Sequence, residues 1–262
     1  MFKMWSAFHF LFILSPFIFT VIFQIAFRKL DQEKKRIAGL VLSVLAVVIL
    51  LFRNGEIFVK SGYKLDPEII PLQICHFANF VLLFAFWKKS DVLFALAFCL
   101  NLPAAFISII FANSLENYTT LVSFRAQAYL WGHMLIVSIT LWALLNDFIH
   151  ITNKSLIKTL LFIGAIYLVA IPVDTIMEAI TDKQANYFYA LYPEEGTPLE
   201  WFYDISEPVK ILGMTFRPLY LLLTALLGLV VVMVFYGFYL FYYFLKEKNV
   251  LKHEKMKPSV NA

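Results

Sequence analysis

A cysteine and a histidine in two separate apolar stretches are the residues of this chain best suited to covalent chemistry. Cys75 lies near the start of the apolar stretch 69–87, and His133 lies a similar distance into the stretch 126–145. If both stretches cross a membrane in the same direction, a rise of about 1.5 Å per residue places both side chains roughly 10 Å below the same face. An imidazole can take the proton of a nearby thiol, and the thiolate can then attack an acyl carbonyl. The two residues therefore predict an acyl-transfer site.

Packing is the alternative explanation for each polar residue taken singly. Free cysteine is often buried simply to fill space, and Cys99, with no polar neighbour at hand, fits that description. His9 could equally extend its ring to the membrane interface. However, His9, His76 and Asn79 share the predicted depth of Cys75. Amide and ionisable groups inside a membrane are costly and usually face a cavity or each other, so the cluster favours a cavity.

Other polar patterns give weaker signals. The histidines and the cysteine lack the close two-ligand spacing of zinc sites, so no metal or other cofactor is expected. Asp174 and Glu178 could orient a histidine or hold a cation, although such a pair more often forms a solvated helix end. Asn101 with Pro103 predicts a helix kink in which the amide bonds the freed carbonyl. No phosphate-binding glycine loop or metalloprotease motif occurs.

The chain that must position these residues is too apolar to be a soluble protein. Of its 262 residues, 61% are hydrophobic and 15% are charged. A helix needs about 20 mostly apolar residues to cross a bilayer, and seven stretches meet or approach that length. The stretches are about 6–27, 37–53, 69–87, 91–112, 126–145, 156–176 and 216–244. The predicted fold class is therefore all-α, a bundle of seven transmembrane helices that forms a single domain.

Basic residues beside the stretches predict the orientation. More of them flank the side that holds the segment 28–36 and the tail from Lys246 to Lys257, so the N-terminus is predicted outside and the C-terminus in the cytoplasm. The first stretch has no small-residue cleavage site and is predicted to be a retained anchor. The basic residues form no single patch, so membrane lipids, and not nucleic acid, are the expected partners. The expected location is the cell membrane, as a multi-pass protein.

The longest connection, at about 177–215, is predicted to lie on the outer side. A loop of this length is usually functional. The aromatic residues Trp201, Phe202 and Tyr203 favour contact with the membrane interface. The connection is acidic, with Glu178, Asp182, Glu194, Glu195, Glu200, Asp204 and Glu207. We expect a partly re-entrant lid over an outward-facing cavity.

Three short motifs resemble those of the YwaF-like bacterial integral membrane family. They are Pro71-Leu72-Gln73-Ile74-Cys75, Trp131-Gly132-His133-Met134-Leu135-Ile136 and Asn186-Tyr187, and His9 after Phe8 is similar to the first-span histidine of that family. The family typically has Pro-Leu-His-Leu-Cys, so Gln73 stands where the family has histidine. Residues 73 and 75 point about 200° apart on a helix, which favours a packing or hydrogen-bonding role for Gln73. The resemblance covers nearly the whole chain.

The YwaF-like family is similar to the eukaryotic transmembrane protein 164 acyltransferase family, which remodels phospholipids, and more distantly to androgen-induced hydrolases of fatty-acid esters. The resemblance implies Cys75 as nucleophile and His133 as general base on an acyl lipid of the outer leaflet. We expect His9 or Asn79 to stabilise the oxyanion. The other supporting residues are His76, Asp174, Asn186 and Tyr187. Two other classes stay open: a small-solute transporter or channel that uses the same polar cluster, and a non-catalytic scaffold whose acidic loop binds a partner.

Overall fold

The computed structural model of the chain confirms the predicted fold class. It describes residues 2–112, 115, 120–194, 196–211 and 213–255, with the backbone alone at 249–255. Glu195 of the acidic connection and Lys257 of the basic tail lie outside these residues. In the part of the chain that the structure describes, seven helical segments are long and apolar enough to cross a membrane.

The spanning segments follow the predicted order. Six of them contain one long helix each: α1 (Ala7–Phe27), α2 (Gln32–Lys60), α3 (Ile74–Lys88), α6 (Phe124–Leu145), α7 (Asn153–Thr181) and α9 (Pro218–Lys255). The fourth segment is interrupted and consists of α4 (Asp91–Leu96), a π-helical turn at Ala97–Asn101 and α5 (Leu102–Ile110).

Helix α2 is longer than its apolar stretch predicts. It begins after Asp31, whose carboxylate accepts the Lys34 N–H at 2.8 Å as an N-cap. It continues past the polar residues that end the apolar stretch, because these side chains find partners within the protein. Arg53 is only 6% exposed and donates to the Glu68 carboxylate at 2.6 Å. A buried charge with a partner is compatible with a continuous helix. Hydrophobicity along the sequence, in contrast, predicts that the span ends at the charged residue.

The expected role of Asn101 beside Pro103 is wrong. Both polar atoms of the Asn101 side chain are buried, and neither has a hydrogen-bond partner among the described residues. The helix instead accommodates the proline by a π turn, in which the Leu102 N–H donates to the Ala97 carbonyl. Cys99 lies in this turn and is fully buried, as expected for a packing residue.

Helix α6 is the centre of the bundle and packs against α1, α2, α3 and α5. Short polar side chains join it to α1: the Ser138 hydroxyl donates to the Pro16 carbonyl at 3.1 Å, and the Thr20 hydroxyl donates to the Ser138 carbonyl at 3.4 Å. Polar contacts of this kind hold helices together where water is absent. Helices α2 and α3 approach closely at Gly39, which faces the Phe86 ring.

The described residues of the range 182–217, here called the cap segment, form several short elements. They contain a 3₁₀ turn at Tyr187–Tyr189, the short helix α8 (Pro198–Asp204) and an antiparallel hairpin of β1 (Val209–Ile211) and β2 (Met214–Phe216). The cap segment packs on α7 and on the start of α3. The side of the bundle that it covers is called the loop face below.

Candidate functional site

Cys75 lies at the very start of helix α3 on the loop face. The sequence places it about six residues into a membrane helix, but α3 begins at Ile74, after a 3₁₀ turn at Pro67–Ile69. The N-cap residue Gln73 makes no side-chain capping bond, and the first N–H with a helical acceptor is that of Phe77, 2.8 Å from the Gln73 carbonyl. The first backbone N–H groups of α3, in the turn that carries Cys75, therefore have no helical acceptor, and such groups commonly bind anions.

The thiol is half-buried among residues from three other elements. The Ser108 side chain from α5 interacts with it directly. The Glu194 carboxylate of the cap segment and the Tyr189 phenol lie within electrostatic range of the sulfur. Tyr129 of α6 belongs to the same group, since its hydroxyl donates to the Ser108 carbonyl at 2.7 Å.

His133 lies on α6 with its ring fixed in one orientation. Its Nδ1 is 2.7 Å from the Tyr129 carbonyl, which can only accept, so Nδ1 carries the hydrogen and Nε2 carries the lone pair. The Tyr129 ring centroid is 4.3 Å from that of His133. No hydrogen bond joins His133 to Cys75 in the described residues. Ser108 and Tyr129 link Cys75 to His133: Ser108 interacts with the thiol, Tyr129 bonds to Ser108, and the Tyr129 carbonyl accepts from His133.

His76, next to Cys75, is directed elsewhere. Its Nδ1 is buried and has no hydrogen-bond partner among the described residues. The ring lies within electrostatic range of both Arg53 and His133. His76 is therefore close to Arg53 of α2 as well as to His133 of α6.

The structure gives both His9 and Asn79 hydrogen bonds within the protein. His9 is fully buried; its Nδ1 accepts the Trp5 N–H at 3.0 Å, and its Nε2 donates to the Ile109 carbonyl at 2.9 Å. No ring nitrogen of His9 is left for a ligand. The Asn79 amide donates to the backbone carbonyl of Cys75 at 3.2 Å and so supports the first turn of α3.

Asp174 holds the cap segment and does not form a solvated helix end. Its side chain is fully buried, and its Oδ1 accepts the Tyr187 N–H at 2.7 Å. Glu178, one turn later, accepts the Ala185 N–H and the Tyr192 hydroxyl, each at 3.2 Å. The pair therefore orients the backbone of the cap segment; no histidine is among these partners.

The Asn186-Tyr187 motif anchors the cap segment over α3. The Asn186 amide donates to the Tyr192 carbonyl at 3.0 Å and accepts the Tyr192 N–H at 3.3 Å. The Tyr187 hydroxyl donates to the Pro67 carbonyl at 2.7 Å. Lys183 adds an ion pair with Asp66 at 2.6 Å. Burial opposes the ionisation of Asp66, but the Lys183 ammonium holds the pKa of that carboxyl below its ordinary value.

Two sets of residues near the site are absent from the sequence-based prediction. The first is an ionic network in which Arg53 and Arg125 share the Glu68 carboxylate at distances of 2.6 Å. In the sequence, this network is indicated only by two arginines beside apolar stretches. The prediction of orientation uses such arginines only as charges that flank a span. The second set is Ser108, Tyr129 and Tyr189, and only the helical spacing of Tyr129 from His133 could have indicated any of them.

The fold and this cluster define a polytopic membrane protein with a polar site under a structured cap. The chain belongs to the TMEM164 family, whose family model matches residues 4–249. The match agrees with the resemblance to the transmembrane protein 164 family, while the narrower YwaF-like label stays a prediction. No curated protein and no solved structure matches the chain.

Proposed function

We propose that this protein is a membrane acyltransferase or lipid esterase in which Cys75 is the nucleophile and His133 is the general base. The observation that carries the proposal is the position of Cys75 at the uncapped N-terminus of α3, beside the cluster that contains His133. The positive end of a helix favours a thiolate, and a nearby imidazole with a free lone pair can accept the thiol proton.

The reaction divides into two balanced steps. His133 Nε2 takes the proton of Cys75, and Sγ attacks the ester carbonyl of an acyl lipid, so that a carbon–sulfur bond forms and the carbonyl electron pair moves to oxygen. The intermediate collapses, the carbon–oxygen ester bond breaks, and the leaving alcohol takes the proton from His133. Water or a second alcohol then gives a proton to His133 and attacks the thioester carbonyl, so that a new carbon–oxygen bond forms. The carbon–sulfur bond breaks, and the departing sulfur takes the proton from His133, which returns the thiol and releases an acid or a new ester.

The first N–H groups of α3 supply the charge stabilisation that the intermediates need. Backbone N–H groups that are already oriented towards a developing oxyanion lower its energy without reorganisation. We assign this role to the backbone around Cys75 and His76. Asn79 keeps this turn in place through its bond to the Cys75 carbonyl, and His9 contributes only to the packing of α1 against α5.

Proton transfer requires a change in the contacts of the thiol. Because the Cys75 thiol interacts with Ser108 and makes no hydrogen bond to His133, it must rotate on substrate binding or use one bridging water. Catalytic hydrogen bonds that are long without substrate commonly shorten in the reacting complex.

A labelling experiment tests the nucleophile. Purified protein in lipid nanodiscs is treated with a fluorophosphonate probe, and the labelled peptide is identified by mass spectrometry. We expect labelling at Cys75, loss of labelling and of acyl transfer to background in Cys75→Ala, and no change in Cys99→Ala, because Cys99 is buried in the π turn. Unchanged labelling of Cys75→Ala contradicts the mechanism. Solute uptake into proteoliposomes that survives Cys75→Ser and His133→Ala indicates a transporter instead.

A further inference from the structure

The 3₁₀ turn of the cap segment holds two successive aromatic residues in a strained backbone conformation. Phe188 has φ 54° and Tyr189 has φ 55°. A residue with a side chain is strained in the left-handed region, and such strain persists only where the surroundings enforce it. Two adjacent residues in this conformation therefore indicate that the surrounding structure fixes the orientation of their side chains.

Hydrogen bonds on both sides enforce this conformation. Asn186 closes the segment on Tyr192, and the Tyr187 N–H is held by Asp174. The Tyr220 hydroxyl from α9 contacts the carbonyls of Tyr189 and Tyr192, each at 2.7 Å. The backbone of the turn is thus tied to α7 and α9.

The Phe188 ring fixes the turn against the helix that carries Cys75. Its centroid lies 5.7 Å from that of Phe77, which is two residues after Cys75 in α3. Ile74 and Phe77 both pack against the apolar cluster that includes Tyr187 and Phe188. The turn and the start of α3 therefore form one packed unit, and a side chain on the turn has a defined position relative to the thiol.

The Tyr189 phenol lies near this site and has no hydrogen-bond partner among the described residues. The hydroxyls of Tyr187, Tyr192 and Tyr220 all make hydrogen bonds, but among the described residues that of Tyr189 makes none. Its ring is half-buried and lies within electrostatic range of Cys75. Burial, followed by the Glu194 carboxylate, raises the pKa of Tyr189 above its ordinary value, so the phenol stays protonated and can donate.

We infer that Tyr189 is a further catalytic residue, whose hydroxyl donates a hydrogen bond to the oxygen of the acyl carbonyl while that carbonyl is attacked by Cys75. This inference rests on the proposed function. Tyr189 donates from the cap segment, and the backbone N–H groups of α3 donate from the opposite side of the same oxygen. No proton is transferred by Tyr189; it stabilises the negative oxygen in both tetrahedral intermediates. The strained turn holds a neutral donor in place before substrate arrives.

The test removes only the phenolic oxygen. We expect Tyr189→Phe to lower kcat by about 10²–10³-fold, the effect of losing one oxyanion donor, with little change in KM. The thermal midpoint stays at the wild-type value, because the hydroxyl makes no bond within the described protein.

Alkylation of Cys75 by iodoacetamide, which forms no oxyanion, stays at the wild-type rate, while fluorophosphonate labelling slows. All proteins carry Cys99→Ala. Tyr203→Phe, another phenol of the cap segment, is the matched control and keeps wild-type kinetics.

Two results overturn the inference separately from the proposed function. If wild-type turnover depends on Cys75 and Tyr189→Phe retains its kcat, Tyr189 is not a donor although the acyl transfer stands. If Tyr189→Phe slows alkylation and turnover equally, the phenol only shapes the site. Absence of any Cys75-dependent turnover in the wild-type protein defeats the proposed function and this inference with it.

Discussion

At the residue scale, two buried histidines differ in how their ring nitrogens are used. His9 and His133 are both at most 9% exposed. His9 uses both nitrogens on backbone groups at helix ends, where helical partners are lacking. His133 uses only Nδ1, and its acceptor is a carbonyl inside α6 that already has a helical partner. Removal of the His9 ring therefore leaves backbone groups without hydrogen-bond partners, whereas removal of the His133 ring does not.

Replacing each histidine by leucine separates these roles. His9→Leu leaves the Trp5 N–H and the buried Ile109 carbonyl without their His9 partners. An unsatisfied buried group such as this carbonyl costs about 1–3 kcal/mol, so the thermal midpoint falls clearly. His133→Leu orphans no backbone group, so we expect a small change in the midpoint and loss of acyl transfer. Thermal unfolding in detergent and turnover in nanodiscs measure the two effects. A midpoint for His133→Leu as low as that of His9→Leu contradicts this assignment.

Residue types allowed the candidate pair of Cys75 and His133 to be predicted but not the residues around it. A thiol and an imidazole are rare enough in membrane helices that Cys75 and His133 could be selected from the sequence. Tyrosine and serine are common, so nothing in the sequence singled out Tyr189 or Ser108. His9 shares the depth of Cys75, but which partners it bonds depends on how α1 meets α5, which no spacing along one helix reveals.

At the element scale, the packing of α2 against α3 depends on a single glycine. A Cβ at Gly39 would lie 2.5 Å from Cζ of Phe86. Phe86 is fully buried, and its ring is surrounded by Phe94, Trp142 and Phe148. The ring therefore cannot move aside, and α2 and α3 can approach this closely only because residue 39 has no side chain.

A matched pair of alanine substitutions tests this packing. Gly39→Ala forces α2 and α3 apart, and overpacking of this kind costs about 1–3 kcal/mol. Gly164→Ala, in the exposed part of α7, meets no atom within 4 Å and gains up to about 1 kcal/mol from helix propensity. We expect the thermal midpoint to fall in the first variant and to hold or rise in the second. Equal midpoints for the two variants are incompatible with the close approach at Gly39.

Element boundaries were predictable where hydrophobicity sets them and not where polar partners do. The number and order of spans follow from apolar length alone. The start of α3 does not follow from apolar length. Ile69 and Ile70 are apolar and predict membrane helix, but the backbone there forms a 3₁₀ turn held by Asp66 and Tyr187. The structured turn and hairpin of the cap segment likewise depend on contacts with α7 and α9 that lie far away in sequence.

At the scale of the whole molecule, charged groups divide the protein into two distinct faces. The loop face carries the network of Arg53, Glu68 and Arg125 beside the Cys75 cluster. On the opposite face Lys89 pairs with Glu33 at 3.2 Å, and Lys246 lies 2.7 Å from Asp147. The basic flanks that predict a cytoplasmic side are thus gathered on one face, away from the candidate site.

Cysteine accessibility tests the orientation that follows from this division. In a background with Cys75→Ala and Cys99→Ala, Lys64→Cys introduces an exposed thiol on the loop face and Lys89→Cys introduces one on the opposite face. Because an excess of Lys and Arg marks the cytoplasmic side, we expect a membrane-impermeant maleimide to label Lys64→Cys on intact cells and Lys89→Cys only after permeabilisation. The reverse pattern places the N-terminus inside. Since Cys75 lies on the loop face, the labelled side also decides which leaflet supplies the acyl lipid in the proposed reaction.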